Sequence, residues 1–308
     1  MNPSISVIIP YYNGSRFIDE AVASVQAQTY PASEIIIVND GSRPEEAAHL
    51  RRHRGPCTVI DLPDNRGVSM ARNIGVAHAT GDWLAFLDCD DLWAPHKLQT
   101  QVDYIRRNPG CRAVHTALRG ISQNGQVGIF PKTPVGVDDF LYNDWSPVLP
   151  STLLVEREAF IACGLFNPTV RATEDHECFL RFCRFYPIHC VNEPLVTRRI
   201  QPDGLSRNVE LWVEGQDRTI RYYQRLYPSR AAYRRRLVQM HASILPQLLY
   251  RRQLHAFSRI VRQSTAHDLP LLRLGPHLIA MMLRYRLRRA SPAGGLRGRG
   301  AGRQNDRG

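Results

Sequence analysis

A repeated alternation in the first hundred residues constrains this chain more than any other feature. Short β-branched runs are separated by stretches whose apolar residues recur at helical spacing. Ile5 to Ile9 is the first run, closed by Pro10. Phe17, Ile18, Val22 and Val25 then mark a helix from Ser15 to about Gln28. Ile35 to Val38 is a second strand, residues 44–53 a helix, and Cys57 to Leu62 a third strand. Gly67 to Ala79 reads as a helix and Trp83 to Leu87 as a fourth strand; residues 95–107 form a helix with Pro95 in its first turn. Strands and helices alternating at this spacing predict an α/β fold with a doubly wound parallel sheet.

Polar clusters follow three of these strands: Tyr12-Asn13-Gly14, Asn39-Asp40-Gly41-Ser42 and Asp88-Cys89-Asp90-Asp91. Ligands of such sheets bind at the carboxyl ends of the strands, so the clusters locate a site. Asp88, Asp90 and Asp91 crowd together at the end of an apolar strand, where like charges repel and burial adds to the cost. Two readings are open. The carboxylates hold Mg²⁺ or Mn²⁺, whose shell a ligand's phosphates complete, or they form an acidic turn capping the helix that starts near Pro95.

After residue 110 the pattern changes. Residues 112–130 read as a hairpin around Asn124-Gly125, Ser151 to Val155 as a strand, 176–186 as a helix and 188–200 as extended chain. From about residue 208 the chain is helical and arginine-rich, and from Ser291 it collapses to Gly, Arg, Pro and Ala, the composition of a disordered tail.

Charge divides along the same line. The net charge of +12 is an average: residues 1–217 carry 20 basic and 26 acidic side chains, residues 218–308 carry 20 and 2. Lys97 and Lys132 are the only lysines. That split argues against a protein that coats nucleic acid with its whole surface. The first residues, Met1 to Ser4, lack the pattern of a secretion signal, and the apolar run Leu278–Leu283 falls far short of the ~20 residues that span a bilayer. The seven cysteines are odd in number and none shows C-x-x-C spacing, which fits a reducing cytoplasm better than a disulfide framework or a zinc cage.

Four segments taken together resemble glycosyltransferase family 2: Ser6 to Gly14, Val38 to Ser42, Gly67 to Asn73, and Phe86 to Asp91. That family comprises inverting enzymes of the GT-A fold that use nucleotide sugars, and the resemblance covers roughly residues 4–205. It implies a GT-A, mostly parallel doubly wound sheet, here with a helical C-terminal extension. It places Pro10, Tyr12, Asn13 and Asp40 around the donor nucleotide. Tyr12 offers a face for stacking, although core packing is the plainer use of such a residue, and the Asp40 carboxylate can accept from the N3–H of a uracil. Asp90 would hold the metal, Mn²⁺ or Mg²⁺, with Asp88 contacting ribose or the metal's waters. Arg72 either faces the diphosphate or makes a salt bridge with no catalytic part. The family's base falls in an acidic pair before a helix, here Glu174-Asp175; Asp175 is the base by position and Glu174 the second choice. Thr173 and Glu174 could equally supply an ordinary helix cap. The family often carries Tyr-Arg-x-His downstream. Here Gln201 replaces the histidine, which puts any role of that imidazole in doubt, while Arg199 can still meet the diphosphate.

The division expected is a catalytic domain over 1–205 (donor half 1–110, acceptor half 111–205), a basic helical extension over 206–290, and a tail over 291–308. Trp145 and Trp212 either shape an acceptor pocket or pack in the core. In the last third, arginines such as Arg218, Arg221, Arg234, Arg251 and Arg259 interleave with Leu237, Ile244, Leu248 and Phe257. That pattern suits the inner face of an anionic membrane, each basic residue adding about 1 kcal/mol; a helix packed on the catalytic domain and a polyanion binder are the other readings. The function expected is transfer from a nucleotide-diphospho-sugar, a UDP-sugar first, to a glycan or lipid-linked acceptor in cell-surface polysaccharide synthesis. A catalytically idle relative that holds nucleotide or glycan is the alternative. A nucleotidyltransferase would need a Gly-rich basic phosphate loop after the first strand, and Tyr11 to Ser15 is not one. The short Arg/Gly tail lacks the interleaved aromatics of a nucleic-acid binder.

Overall fold

Strand β1 (Ile5–Tyr11) is buried along its whole length. It runs parallel between β2 (Glu34–Asn39) and β4 (Trp83–Phe86), and β3 (Cys57–Asp61) extends the parallel sheet beyond β2. In this computed structural model the described residues are 2–52, 57–122, 125, 127–130, 132–143, 146–200 and 208–250. The hairpin tip at Asn124, Trp145, Gln201, the arginines from Arg251 onward, the apolar run Leu278–Leu283 and the tail lie outside them.

The connecting helices follow their apolar spacing. Helix α1 (Ser15–Gln26) turns Ile18, Ala21, Val22 and Val25 inward. Helices α2 (Pro44–Arg52), α3 (Val68–His78) and α4 (Lys97–Arg107) complete the crossovers. Each aliphatic side chain fully buried between these layers contributes about 1.5–3 kcal/mol, and Ile8, Ile9, Ile37 and Leu98 are among those with no exposure. Lys97 is buried with them. Its ammonium donates to Gln101 Oε1 at 2.9 Å and lies 3.9 Å from the centre of the Trp93 ring, and burial holds its pKa well below the ordinary lysine value.

The segment after residue 110 adds antiparallel pairings that the first hundred residues do not foretell. Strand β6 (Ala113–Ser122) has β9 (His189–Ile200) parallel on one edge; β8 (Leu154–Glu156) and β7 (Val127–Phe130) lie antiparallel in tandem on the other. The two-residue β5 (Leu92–Trp93) pairs with β9. Strand order is β3-β2-β1-β4-β8-β6-β9-β5, with β7 beside β6. The β6–β7 hairpin matches the expected 112–130. The strand expected over Ser151–Val155 starts later, because Pro150–Thr152 is a 3-10 turn whose proline pre-sets the bend. Short helices α5 (Val137–Leu141) and α6 (Arg157–Ala162) precede α7 (Glu174–Cys183).

Helix α8 (Val209–Tyr222) belongs to the first compact unit, Met1–Tyr233. Just after it, the Tyr223 hydroxyl donates to Glu177 Oε1 of α7 at 2.8 Å. Trp212 on α8 is buried, so packing is its use. Helix α9 (Arg230–Tyr250) leads into the second unit, Arg234–Gly308. It carries four arginines and no acidic residue. No helix among the described residues is long and apolar enough to cross a membrane. All seven cysteines are free.

Candidate functional site

The loops after β1, β2 and β3 are stitched together by short polar side chains. The backbone N–H of Asn13 donates to Ser42 Oγ at 3.0 Å, and Asn13 Oδ1 accepts from the backbone of Arg43 at 3.0 Å. Asn13 itself is left-handed, with φ of 50°, which asparagine tolerates. Asp40 is buried, and its two oxygens accept from the backbone N–H groups of Arg66 (2.7 Å) and Gly67 (2.9 Å). Each oxygen keeps a lone pair for a ligand. Gly41 sits at φ +66°, and a Cβ there would lie 2.3 Å from the carbonyl carbon of Asp64, so the second and third loops touch backbone to backbone. Pro10 is buried at the end of β1, while Tyr12 stands 52% exposed above these loops, free to stack. Core packing is therefore not the use of Tyr12; its neighbour Tyr11 fills that role, with its hydroxyl on Glu46 Oε2 at 2.9 Å.

Beyond β4 the chain forms the acidic turn. The Asp91 backbone N–H donates to the Asp88 carbonyl at 2.9 Å, closing it. Asp91 is buried, and desolvation together with Asp88 and Asp90 pushes its carboxyl well above the ordinary range. Asp90 is raised for the same reasons, desolvation first and then Asp88. Ser151 holds both ends of the turn: its Oγ accepts from the Asp88 N–H at 3.1 Å and bonds the Asp91 side chain. Trp93 Nε1 fixes the Ser151 carbonyl at 2.9 Å. Nothing in the sequence flags Ser151, because it meets the turn from 63 residues away.

Arg72 joins this turn to the second acidic motif. Its guanidinium donates to Asp88 Oδ1 at 2.6 Å and to Glu174 Oε1 at 2.9 Å, with Phe166 beneath at 5.1 Å. The arginine is buried, and its two carboxylate partners drive its pKa up. Arg72 thus makes a salt bridge, but one that spans both halves of the site. Asp175 is half-buried at the start of α7, with Oδ1 accepting the His176 N–H at 2.7 Å. Burial first, and then the Glu174 carboxylate, push its pKa from 3.8 up to about 7. The alternative reading of Thr173 as a helix cap is not met: its side chain makes no cap bond, and its hydroxyl is buried without a hydrogen-bond partner.

Two arginines of β9 border the acidic turn. Arg199 donates to the Asp90 carbonyl at 3.1 Å, pairs with Glu20 and lies over Phe17. Arg198, which sequence reasoning passed over, faces Asp90, Asp91 and Asp175 electrostatically, and Lys132 faces Asp175 as well.

No three His, Cys, Asp or Glu side chains among the described residues converge into a ready-made metal cage. Asp88 and Asp90 supply hard oxygen donors whose mutual repulsion a cation relieves, which is a partial shell of the kind Mg²⁺ and Mn²⁺ complete with phosphate and water. The residues fit such an ion.

A parallel half-sheet ending in an acidic turn, joined to a mixed half bearing a second acidic pair, defines a GT-A type fold. A mannosyltransferase from Pyrobaculum calidifontis, solved with GDP-Man and Mn²⁺, superposes with a TM-score of 0.59 at 19% identity over 94% of this chain and 84% of that one. Staphylococcus aureus TarS 1–349, solved with UDP, gives 0.54 at 17% over 86% and 92%. The glycosyl transferase family 2 profile matches residues 6–128. TuaG of Bacillus subtilis, named for teichuronic acid biosynthesis, is 30% identical over 213 residues, 67% of this chain and 82% of that protein. An uncharacterized glycosyltransferase of Rickettsia typhi is 29% identical over 221 residues, 68% of each. Two relatives are longer: the chain spans 36% of one from Rickettsia felis and 35% of one from Rickettsia conorii. The chain belongs to glycosyltransferase family 2.

Proposed function

We propose that this protein is an inverting glycosyltransferase that moves a sugar from a nucleotide-diphospho-sugar, a UDP-sugar first, to a hydroxyl of a glycan or lipid-linked acceptor in cell-surface polysaccharide synthesis. The observation that carries the reading is Arg72, bonded to Asp88 and Glu174 at once. It draws the donor-side turn and the acidic pair into one site. In the reaction proposed, the acceptor oxygen attacks the anomeric carbon, the bond from that carbon to the diphosphate oxygen breaks with its electron pair leaving on the diphosphate, and the acceptor's proton passes to Asp175. A carboxylate with a pKa of about 7 is a far better proton acceptor than an ordinary one and is still ionised in useful amount at neutral pH. Tyr12 stacks on the base, with Pro10, Asn13 and Asp40 shaping the pocket. Asp88 and Asp90 would hold Mn²⁺ or Mg²⁺, which neutralises charge on the departing diphosphate. Arg198 and Arg199 border the same turn. The place of work proposed is the cytoplasmic face of the membrane.

A panel of nucleotide sugars with Mn²⁺ or Mg²⁺, scored by slow release of nucleotide, tests the reading. Release from at least one donor is expected. Asp175→Asn should cut transfer by about 10²–10⁴-fold while nucleotide binding stays. Full activity in that variant removes Asp175 from the base role, and binding of no donor at all rejects the reading.

A further inference from the structure

The β6–β7 hairpin has an unusual surface. Val127, Ile129 and Phe130 are 57%, 61% and 47% exposed, three of the bulky apolar side chains exposed among the described residues and all on one four-residue strand. Pairing sets Ile129 opposite Arg119 and Val127 opposite Ile121 on one face, and Phe130 opposite Leu118 on the other. Apart from Arg119, the outer hairpin therefore carries apolar side chains on both faces. Phe130 is not a loose ring. It lies along the paired glycines Gly120 and Gly128, and a Cβ at Gly120 would sit 2.8 Å from its ring. Among the described residues β7 pairs with β6 alone, and its other edge has no strand partner there. Soluble proteins usually blunt such an edge with charge or proline on the strand, and Val127–Phe130 has neither.

The charge carried near the hairpin is basic. Residues 113–137 contain Arg119 and Lys132 and no Asp or Glu, while Arg106 and Arg112, before the start of β6, pair with Asp103 and Glu156. Apolar side chains that project from a basic surround are the composition of an interfacial anchor, the apolar groups entering the headgroup boundary and the cations meeting anionic lipid. The hairpin also lies close to the acceptor side. Gly120 of β6 pairs with Gly128 on one edge and with Arg198 on the other. Two strand spacings, about 10 Å, thus separate β7 from the strand whose Arg198 faces Asp90 and Asp175.

We propose that the β6–β7 hairpin docks this protein on an anionic lipid bilayer by inserting Val127, Ile129 and Phe130. The docking stands on the hairpin's own surface. That it presents the site to a lipid-linked acceptor rests on the function proposed above.

Full-length protein is sedimented with vesicles of phosphatidylglycerol and phosphatidylcholine in equal parts, and with pure phosphatidylcholine. The parent should bind the anionic vesicles. The triple variant Val127→Ser, Ile129→Ser, Phe130→Ser should bind them about tenfold more weakly or worse, and Arg119→Glu should show a smaller loss. Both should keep the parent's melting temperature and its slow donor hydrolysis in the absence of acceptor. That hydrolysis reports on the catalytic reading separately, so its absence in the parent rejects that reading and leaves the vesicle result standing. Equal binding by parent and triple variant, or no binding by the parent, overturns the docking proposal. Light scattering completes the test: a parent dimer that the triple variant splits into monomers makes the hairpin an interface between two copies of the chain instead.

Discussion

Arg72 and Asp175 show how far a residue's role depends on what folding brings to it. Arg72 stands 102 residues from Glu174 in sequence, yet bonds it directly. Removing the guanidinium leaves two carboxylates facing each other near the core. Arg72→Ala should lower stability by about 3–5 kcal/mol in a denaturant titration, and Arg72→Lys should recover only part, since one ammonium cannot copy the two-pronged geometry. For Asp175 the prediction concerns pH. In the reaction proposed above the ionised form accepts the proton, so kcat/KM should fall as pH drops below about 7 and level off above it. Stability runs the other way. Folding raises this carboxyl from 3.8 to about 7, so the folded state binds the proton more tightly, and stability is lost as pH rises between those values. Asp175→Asn, which cannot ionise, should therefore melt higher than the parent at pH 8 while losing transfer. Sequence placed Asp175 by motif but could not give its proton affinity, because an isolated aspartate titrates near ~4 and the shift comes from burial and Glu174.

Among the elements, the long ones were legible and the short ones were not. Strands β1 to β4 and helices α1 to α4 follow from apolar runs and helical spacing that lie within each segment. Strand β5 is two residues long, α5 and α6 are five and six, and the 3-10 turn at Pro150 is three. Segments of that size carry too few residues for a period and take their form from what they pack against. The Ser151 clamp on the acidic turn is invisible in sequence for the same reason. The loops after β2 and β3, which the proposed function makes part of the donor pocket, give a test at this scale. Gly41→Ala adds a methyl at φ +66° and 2.3 Å from the Asp64 backbone. The second and third loops must separate, so the variant should bind nucleotide at least tenfold more weakly, by roughly the 1.4 kcal/mol that a strained, misplaced loop costs. Titration with UDP checks this, with a melt in parallel to show that the sheet remains.

At the scale of the whole molecule, charge and apolar surface are distributed so that one protein has two electrical characters. The acidic first two-thirds contains the carboxylates of the site, and the last third is a polycation. Vesicle binding should therefore fall as salt rises and the Debye length shrinks from ~10 Å at 0.1 M to ~3 Å at 1 M, leaving the apolar contribution of the hairpin as the residue of binding at high salt. Turnover should answer to a different agent: a chelator should stop nucleotide release, and added Mn²⁺ should restore it.

The scarcity of lysine has a consequence for anyone who handles the protein. Lys97 is sealed beside Trp93 in the core, so in the native state an amine-acylating reagent finds Lys132 and the chain's α-amino group, and little else. Lys132 is half-buried near Asp175. Its acylation, followed by mass spectrometry, should slow when a nucleotide sugar is bound, whereas the appearance of label on Lys97 should mark global unfolding. Two amines, one near Asp175 and one inside the core, thus serve as separate chemical clocks for occupancy and for unfolding.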